Sequence, residues 1–156
     1  MKARVIVASN RAAAGVYSDT SGPLLVAGLR ALGCDVDDTP VVVPDGDPVA
    51  EALRAAVADR IDVVVTSGGT GVTPTDRTPE ATRGLLDFEI PGIAEAIRAS
   101  GLAAGAVDAG LSRGLVGVSG STLVVNLASS RAAVRDGMAT LTPLVGHVIA
   151  ELSGLD

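Results

Sequence analysis

Thr66-Ser67-Gly68-Gly69-Thr70-Gly71 places three glycines and several hydroxyls directly behind an apolar run. Glycines at such a turn let successive main-chain N–H groups converge on one anion, and the hydroxyls of Ser67 and Thr70 can add hydrogen bonds to it. The chemistry this suggests is phosphate binding. No Gly-Lys-Ser/Thr follows, and the spacing is not the Gly-x-Gly-x-x-Gly of dinucleotide binders. A plain strand-to-helix turn has the same composition, so the neighbouring residues decide. Asp76 lies five residues past Gly71. A carboxylate beside a phosphate cradle repels the phosphate unless a cation lies between them. Mg²⁺ binds such a combination, one or two carboxylates plus phosphate oxygens. Asp45 is the second candidate, because it follows Val41-Val42-Val43 and should emerge at the same sheet edge as Gly68 and Gly69. Pro44-Asp45-Gly46 also reads as an ordinary Asp-Gly turn.

These residues need a scaffold that brings strand ends together. Arg4 to Ala8 reads as a first strand, followed by a loop of small residues from Ser9 to Tyr17. Asp19, Thr20 or Ser21 caps a helix through Leu32 that stops at Gly33. A second strand is expected over Val36 to Val43. Asp47 and Pro48 then open a helix with Val49, Leu53, Ala56 and Val57 on its apolar face. Ile61 to Thr66 is a nearly unbroken apolar run, expected to be central and buried on both faces. Thr78 as cap, with Pro79 behind it, starts another helix. Ile93 to Ser100 forms the next, stopped by Gly101. Strands over Gly114 to Ser119 and Thr122 to Leu127 flank a Ser-Gly-Ser turn, and Ser129 or Ser130 starts a terminal helix to about Leu152 that Pro143 could bend. Strands alternating with helices predict one α/β domain over residues 1–156, a three-layer sandwich around a mostly parallel sheet. Ligands of such sheets bind beyond the carboxyl ends of the strands.

The run from Thr66 to Gly71, with Asp76 and Thr78-Pro79-Glu80, resembles the hallmark motif of the molybdopterin-binding MoaB/MogA family. Further segments are similar in the same order: Ser9 to Tyr17 with Asp19 to Pro23, Val43 to Asp47, Pro91-Gly92-Ile93, Leu111 to Gly114, and the strand ending at Asn126. The resemblance implies adenylylation of molybdopterin with Mg-ATP and release of pyrophosphate. It assigns Asp45 and Asp76 as catalytic residues and as Mg²⁺ ligands. It places Ser67, Gly68, Gly69, Thr70, Gly71, Ser112, Arg113, Asn126, Ser129 and Ser130 on substrate or phosphate. It also implies a homotrimer. One segment departs from the family pattern: Asn126-Leu127-Ala128-Ser129-Ser130-Arg131 stands where Pro-Gly-Ser/Asn-Pro is usual after Asn-Leu. A helix start with serine hydroxyls and Arg131 can still receive an anion. Two other readings are a MoaB-type paralogue that binds pterin or nucleotide with little turnover, and a scaffold protein that reuses the pocket.

Composition narrows the field. The chain has 156 residues, 47% of them hydrophobic, with one Phe, one Tyr and no Trp, so the core must be aliphatic. The net charge is −6 with no basic cluster, which argues against nucleic acid as a partner. The N-terminal apolar run is too short for a signal peptide or a membrane span. Cys34 is the sole cysteine, which excludes an intramolecular disulfide and fits a cytoplasmic setting. Arg11 and Arg113 are candidates for phosphate pairing or plain surface charge. His147 is expected at a surface or interface, Cys34 as a buried filler, and Glu80 as a first-turn helix charge.

Overall fold

The structure is a computed structural model that describes residues 1–154. In chain order it contains β1 (Lys2–Ala8), α1 (Asn10–Ala13), α2 (Ser21–Ala31), β2 (Asp35–Val36), β3 (Val41–Val43), α3 (Asp47–Ala58), β4 (Val63–Ser67), α4 (Thr78–Arg83), β5 (Phe88–Glu89) and α5 (Pro91–Ala103). A 3₁₀ turn (Val107–Leu111), β6 (Val116–Ser119), β7 (Thr122–Leu127) and α6 (Arg131–Leu152) complete it. The sheet runs β2-β1-β4-β7-β6-β5, with β3 also on β1. Strands β1 to β4 and β7 are parallel, while β5 and β6 add an antiparallel edge.

β4 is buried at every position because it has parallel partners on both sides and helices over both faces. Its alternate residues sort into two cores. Val63 and Val65 join Val5, Val7, Leu123 and Val125 beneath α2, α5 and α6. Val64 joins Ile6, Val124 and the α3 residues Val49, Leu53 and Ala56, with Ala81 of α4 packed against them. The result is the three-layer α/β arrangement expected from the alternation of elements. The sole Phe, Phe88, is 55% exposed, so the core is aliphatic as composition requires.

Register fixes where the loops emerge. Ala8 pairs with Val43, Val7 with Ser67, and Ser67 with Leu127. Four strand ends therefore share one edge, and the segments after Ala8, Val43, Ser67 and Leu127 crowd together there.

Several boundaries differ from the sequence expectation. The strand expected over Val36 to Val43 is two short pieces, β2 and β3, that pair with opposite ends of β1. Pro40, which lacks an N–H, lies in the break. Gly46 and Arg77, rather than Asp47 and Thr78, are the N-caps of α3 and α4. α5 continues through Gly101 to Ala103. Gly101 is there for packing, since a Cβ on it would sit 2.7 Å from the Ala109 Cβ. α1 and the 3₁₀ turn occupy stretches expected to be loop or left unassigned, and β5 was unforeseen: its two residues carry too little pattern to announce a strand.

Candidate functional site

The Gly-rich turn is built by the backbone. Gly68 has φ +95° and Gly69 φ +69°, a region in which a side chain is strained. The Gly68 N–H donates to the Leu127 carbonyl at 2.9 Å, which locks the turn to the end of β7. A Cβ on Gly68 would run into the Ala8 carbonyl oxygen. A Cβ on Gly69 would collide with Thr78 Oγ1 and lie 2.6 Å from Asp45 Oδ2. Glycine at these positions lets the Ala8 carbonyl, Asp45 and Thr78 pack directly against the turn. Thr78 Oγ1 is buried beside the Asp45 carboxyl.

The two aspartates stand on either side of this turn in different electrostatic states. Asp45 accepts the Gly46 N–H at 2.8 Å and the Arg77 N–H at 3.3 Å, while its own N–H donates to Asn10 Oδ1. Burial raises its carboxyl above the ordinary aspartate value, and the charge of Asp76 adds to the rise against those two hydrogen bonds and one from the Thr78 hydroxyl. Asp76 Oδ2 accepts the Thr73 hydroxyl at 2.6 Å and the Thr73 N–H at 2.9 Å. Burial pushes its carboxyl up, but the hydrogen bonds from Thr73 and Gly71 and the charge of Arg113 outweigh that, and the net shift is downward. Two carboxylates that feel each other, one of them disfavoured as an anion, make a place where a cation would be stabilised. This donor set, beside a glycine turn that lets Asp45 and Asp76 approach the backbone closely, fits Mg²⁺ held jointly with phosphate oxygens.

A cleft of about 320 Å³ opens from the turn. Gly68 to Gly71 and Asp76 form one end, Ser129 and Ser130 the adjoining wall, and Ile97, Gly101 and Ala109 the apolar side. The family described as "Probable molybdopterin binding domain" matches residues 4–147. The chain belongs to this molybdenum cofactor biosynthesis family, to which MoaB and MogA belong. A molybdopterin biosynthesis protein from Mycobacterium abscessus is 56% identical, with a TM-score of 0.94 over 99% of this chain and 97% of that one. A molybdenum cofactor biosynthesis bifunctional protein from Synechococcus elongatus is 36% identical over 99% of this chain, which spans 48% of that protein's length. A molybdopterin adenylyltransferase from Haemophilus influenzae is 31% identical over 97% of this chain and 78% of that protein.

Within this molybdopterin-binding domain the expected site residues divide into two groups. Gly68, Gly69, Thr70, Gly71, Asp76, Ser112, Ser129 and Ser130 line the cleft. Ser130 also accepts the Ala133 N–H as N-cap of α6, so the segment lacking the family's prolines and glycine still makes a capped helix start at the cleft. Asp45 packs against Gly69 but does not itself line the cleft. The other group serves the framework. Ser67 is fully buried and donates to Ser21 Oγ, tying β4 to α2, so its side chain is not at the cleft. Asn126 was expected on substrate, but its Oδ1 accepts the Leu115 N–H and its Nδ2 donates to Thr66 and Thr82 hydroxyls in the core. Arg113 donates to the carbonyls of Gly71 and Asp76 and to Glu80 Oε1, so its fork staples the loop instead of projecting at a phosphate. Glu80 is thus the partner of Arg113, and that bond lowers its carboxyl below the ordinary glutamate value.

Among the lesser candidates, Arg11 stacks over the Tyr17 ring, His147 pairs with Glu151 on exposed α6, and Cys34 is buried. Thr78, read from sequence as a helix cap, instead stands against Gly69 and Asp45. Its only signal was its place in the Asp76-x-Thr78-Pro79 run.

Proposed function

We propose that this protein is a molybdopterin adenylyltransferase that uses Mg-ATP. The observation that carries this reading is the cleft in which the Gly68 to Gly71 turn meets Asp76, Ser129 and Ser130, with Asp45 packed directly against Gly69. In the proposed reaction the terminal phosphate of molybdopterin rests against the main-chain N–H groups of the turn, with Ser129, Ser130 and the start of α6 on its other side. One of its oxygens attacks the α-phosphorus of ATP. The bond from that phosphorus to the bridging oxygen breaks, and pyrophosphate leaves. Bound Mg²⁺ supplies charge screening between the two anions, and Asp45 and Asp76 are the residues that would hold it. The protein's own contribution is placement. Arg113 fixes the loop bearing Asp76, and β3 fixes Asp45, so both carboxylates are set before substrate arrives.

The relative named molybdopterin adenylyltransferase supports the same reading, as does the retention of both aspartates. The experiment is to incubate the purified protein with molybdopterin, ATP and Mg²⁺. Adenylylated pterin and pyrophosphate in equal amounts are expected. Binding of molybdopterin without either product would instead favour the paralogue that binds with little turnover.

A further inference from the structure

At the far end of the cleft from the Gly-rich turn lies a charged residue that the adenylyl-transfer chemistry does not use. Asp136, in the second turn of α6, is 8% exposed and forms part of the cleft wall. Its Oδ1 accepts a hydrogen bond from Arg135 Nε at 3.1 Å, and Arg135 is itself largely exposed. Its Oδ2 is buried and has no hydrogen-bond partner. A carboxylate oxygen left unsatisfied in a buried position is destabilising, and such groups persist where a ligand completes them. Of the other charged side chains that line the cleft, Asp76 belongs to the Gly-rich end, Asp108 is exposed, and Arg98 is already occupied, since its Nη1 donates to the carbonyls of Ser112 and Gly114.

Placement gives the ligand's polarity. Ser130 stands at the phosphate end as the N-cap of α6, and Asp136 lies about 9 Å further along the helix at 1.5 Å per residue. That span is comparable with a pterin carrying a phosphate arm. Between the two ends the cleft is lined by Ala133, Ile97, Gly101 and Ala109, small or apolar residues that leave a slot for a flat ring system. A 2-amino-4-oxo-pyrimidine edge presents a ring N–H and an adjacent amino group side by side. A carboxylate, which only accepts, is the complement of such a donor pair.

We propose that Asp136 is a substrate-binding residue that recognises the amino-pyrimidinone edge of the pterin and selects pterins over ring systems with an acceptor at that edge. This rests on the reading of the cleft as a molybdopterin site. Two stable probes test it: neopterin monophosphate, and the counterpart with the same phosphate arm on a lumazine ring, in which a carbonyl replaces the amino group. The chain has no Trp, so probe fluorescence is read against little protein background. The parent is expected to prefer the pterin. Asp136→Asn and Asp136→Leu should lose roughly 10- to 100-fold in affinity for it, the scale of one charge-assisted hydrogen bond, and most of the preference over lumazine. Both variants should melt at or above the parent temperature, because the carboxylate they remove is unsatisfied in the free protein. Parent-like pterin affinity and preference in both variants would overturn the Asp136 assignment and leave the adenylyltransferase reading standing. So would a marked fall in melting temperature in both variants, the mark of a structural carboxylate. A parent that binds neither probe would overturn the pterin reading of the cleft, and the Asp136 assignment with it.

Discussion

At Gly69 the requirement for glycine and the requirement for charge can be separated by mutation. Gly69→Val collides with Asp45 and Thr78 and places a branched residue at φ +69°. Asp45→Asn leaves the turn's backbone unchanged and removes only charge. Titration calorimetry with molybdopterin beside an activity assay should show Gly69→Val without pterin binding and Asp45→Asn binding pterin without transfer to ATP. Pterin binding by Gly69→Val at parental strength would remove the turn from the site. The aspartates should also respond oppositely to pH. The raised pKa of Asp45 means the folded chain holds that proton more tightly than the unfolded chain does, so its ionisation at neutral pH opposes folding. Asp45→Asn should therefore melt no lower than the parent at neutral pH, with any gain shrinking as pH falls through the range where Asp45 protonates. Asp76 has a lowered pKa, and its contribution to stability is present above the ordinary aspartate value and lost as pH falls through the depressed one. Asp76→Asn should melt somewhat lower at neutral pH, and its turnover should fall roughly 10²-fold, the scale of removing one electrostatic stabiliser. Thermal melts across pH, with rates measured on the same samples, check both signs. A Asp76→Asn variant with parental turnover would leave that carboxylate a loop brace only.

At the scale of elements, the decisive piece is the connection from β4 to α4. It holds its shape through three bonds from a distant residue: Arg113 reaches the Gly71 and Asp76 carbonyls and Glu80 from beyond the 3₁₀ turn. A guanidinium can serve three acceptors in one plane, and an ammonium cannot. Arg113→Lys should keep the sheet and the Gly68 turn, since the Gly68 N–H is held independently by Leu127. It should loosen the segment that carries Asp76. The expected result is faster proteolysis within residues 72–77 and a drop in transfer of roughly 10- to 100-fold, as small misplacements of reacting groups cost, with pterin affinity kept near the parent value. Hydrogen exchange unchanged across 72–77 would show that the staple is redundant.

For the molecule as a whole, the expectation of assembly rests on the family resemblance. Val72, Val107 and Leu111 are 68%, 90% and 57% exposed, and Val72 and Leu111 lie at the cleft. Singly exposed apolar residues are ordinary on a monomer surface and do not by themselves set a subunit count. A homotrimer is the expected state, and sedimentation at micromolar concentration should return three times the chain mass of 15.4 kDa. A monomer under those conditions would contradict it. No helix among the described residues is long and apolar enough to cross a membrane.

Local sequence determined those features whose cause is itself local. The nearly unbroken apolar run from Ile61 to Thr66 reads as a strand covered on both faces, and the three glycines behind it read as a tight turn. Asp45 at the end of a β-branched run had to emerge at the sheet edge where ligands bind. Tertiary structure alone decided which polar groups are free. Ser67, Asn126 and Arg113 belong to residue types that bind phosphates and pterins, yet each meets a partner 46, 60 or 42 positions away and is taken up by the framework. Thr78 looked like a helix cap and instead packs against Gly69 and Asp45, and Asp136, which no sequence pattern singled out, is left in the cleft wall with a buried oxygen that has no partner. A side chain's hydrogen-bonding capacity is written in its type, but whether that capacity is already used depends on contacts between residues far apart in the chain, and those exist only once the sheet has set its register.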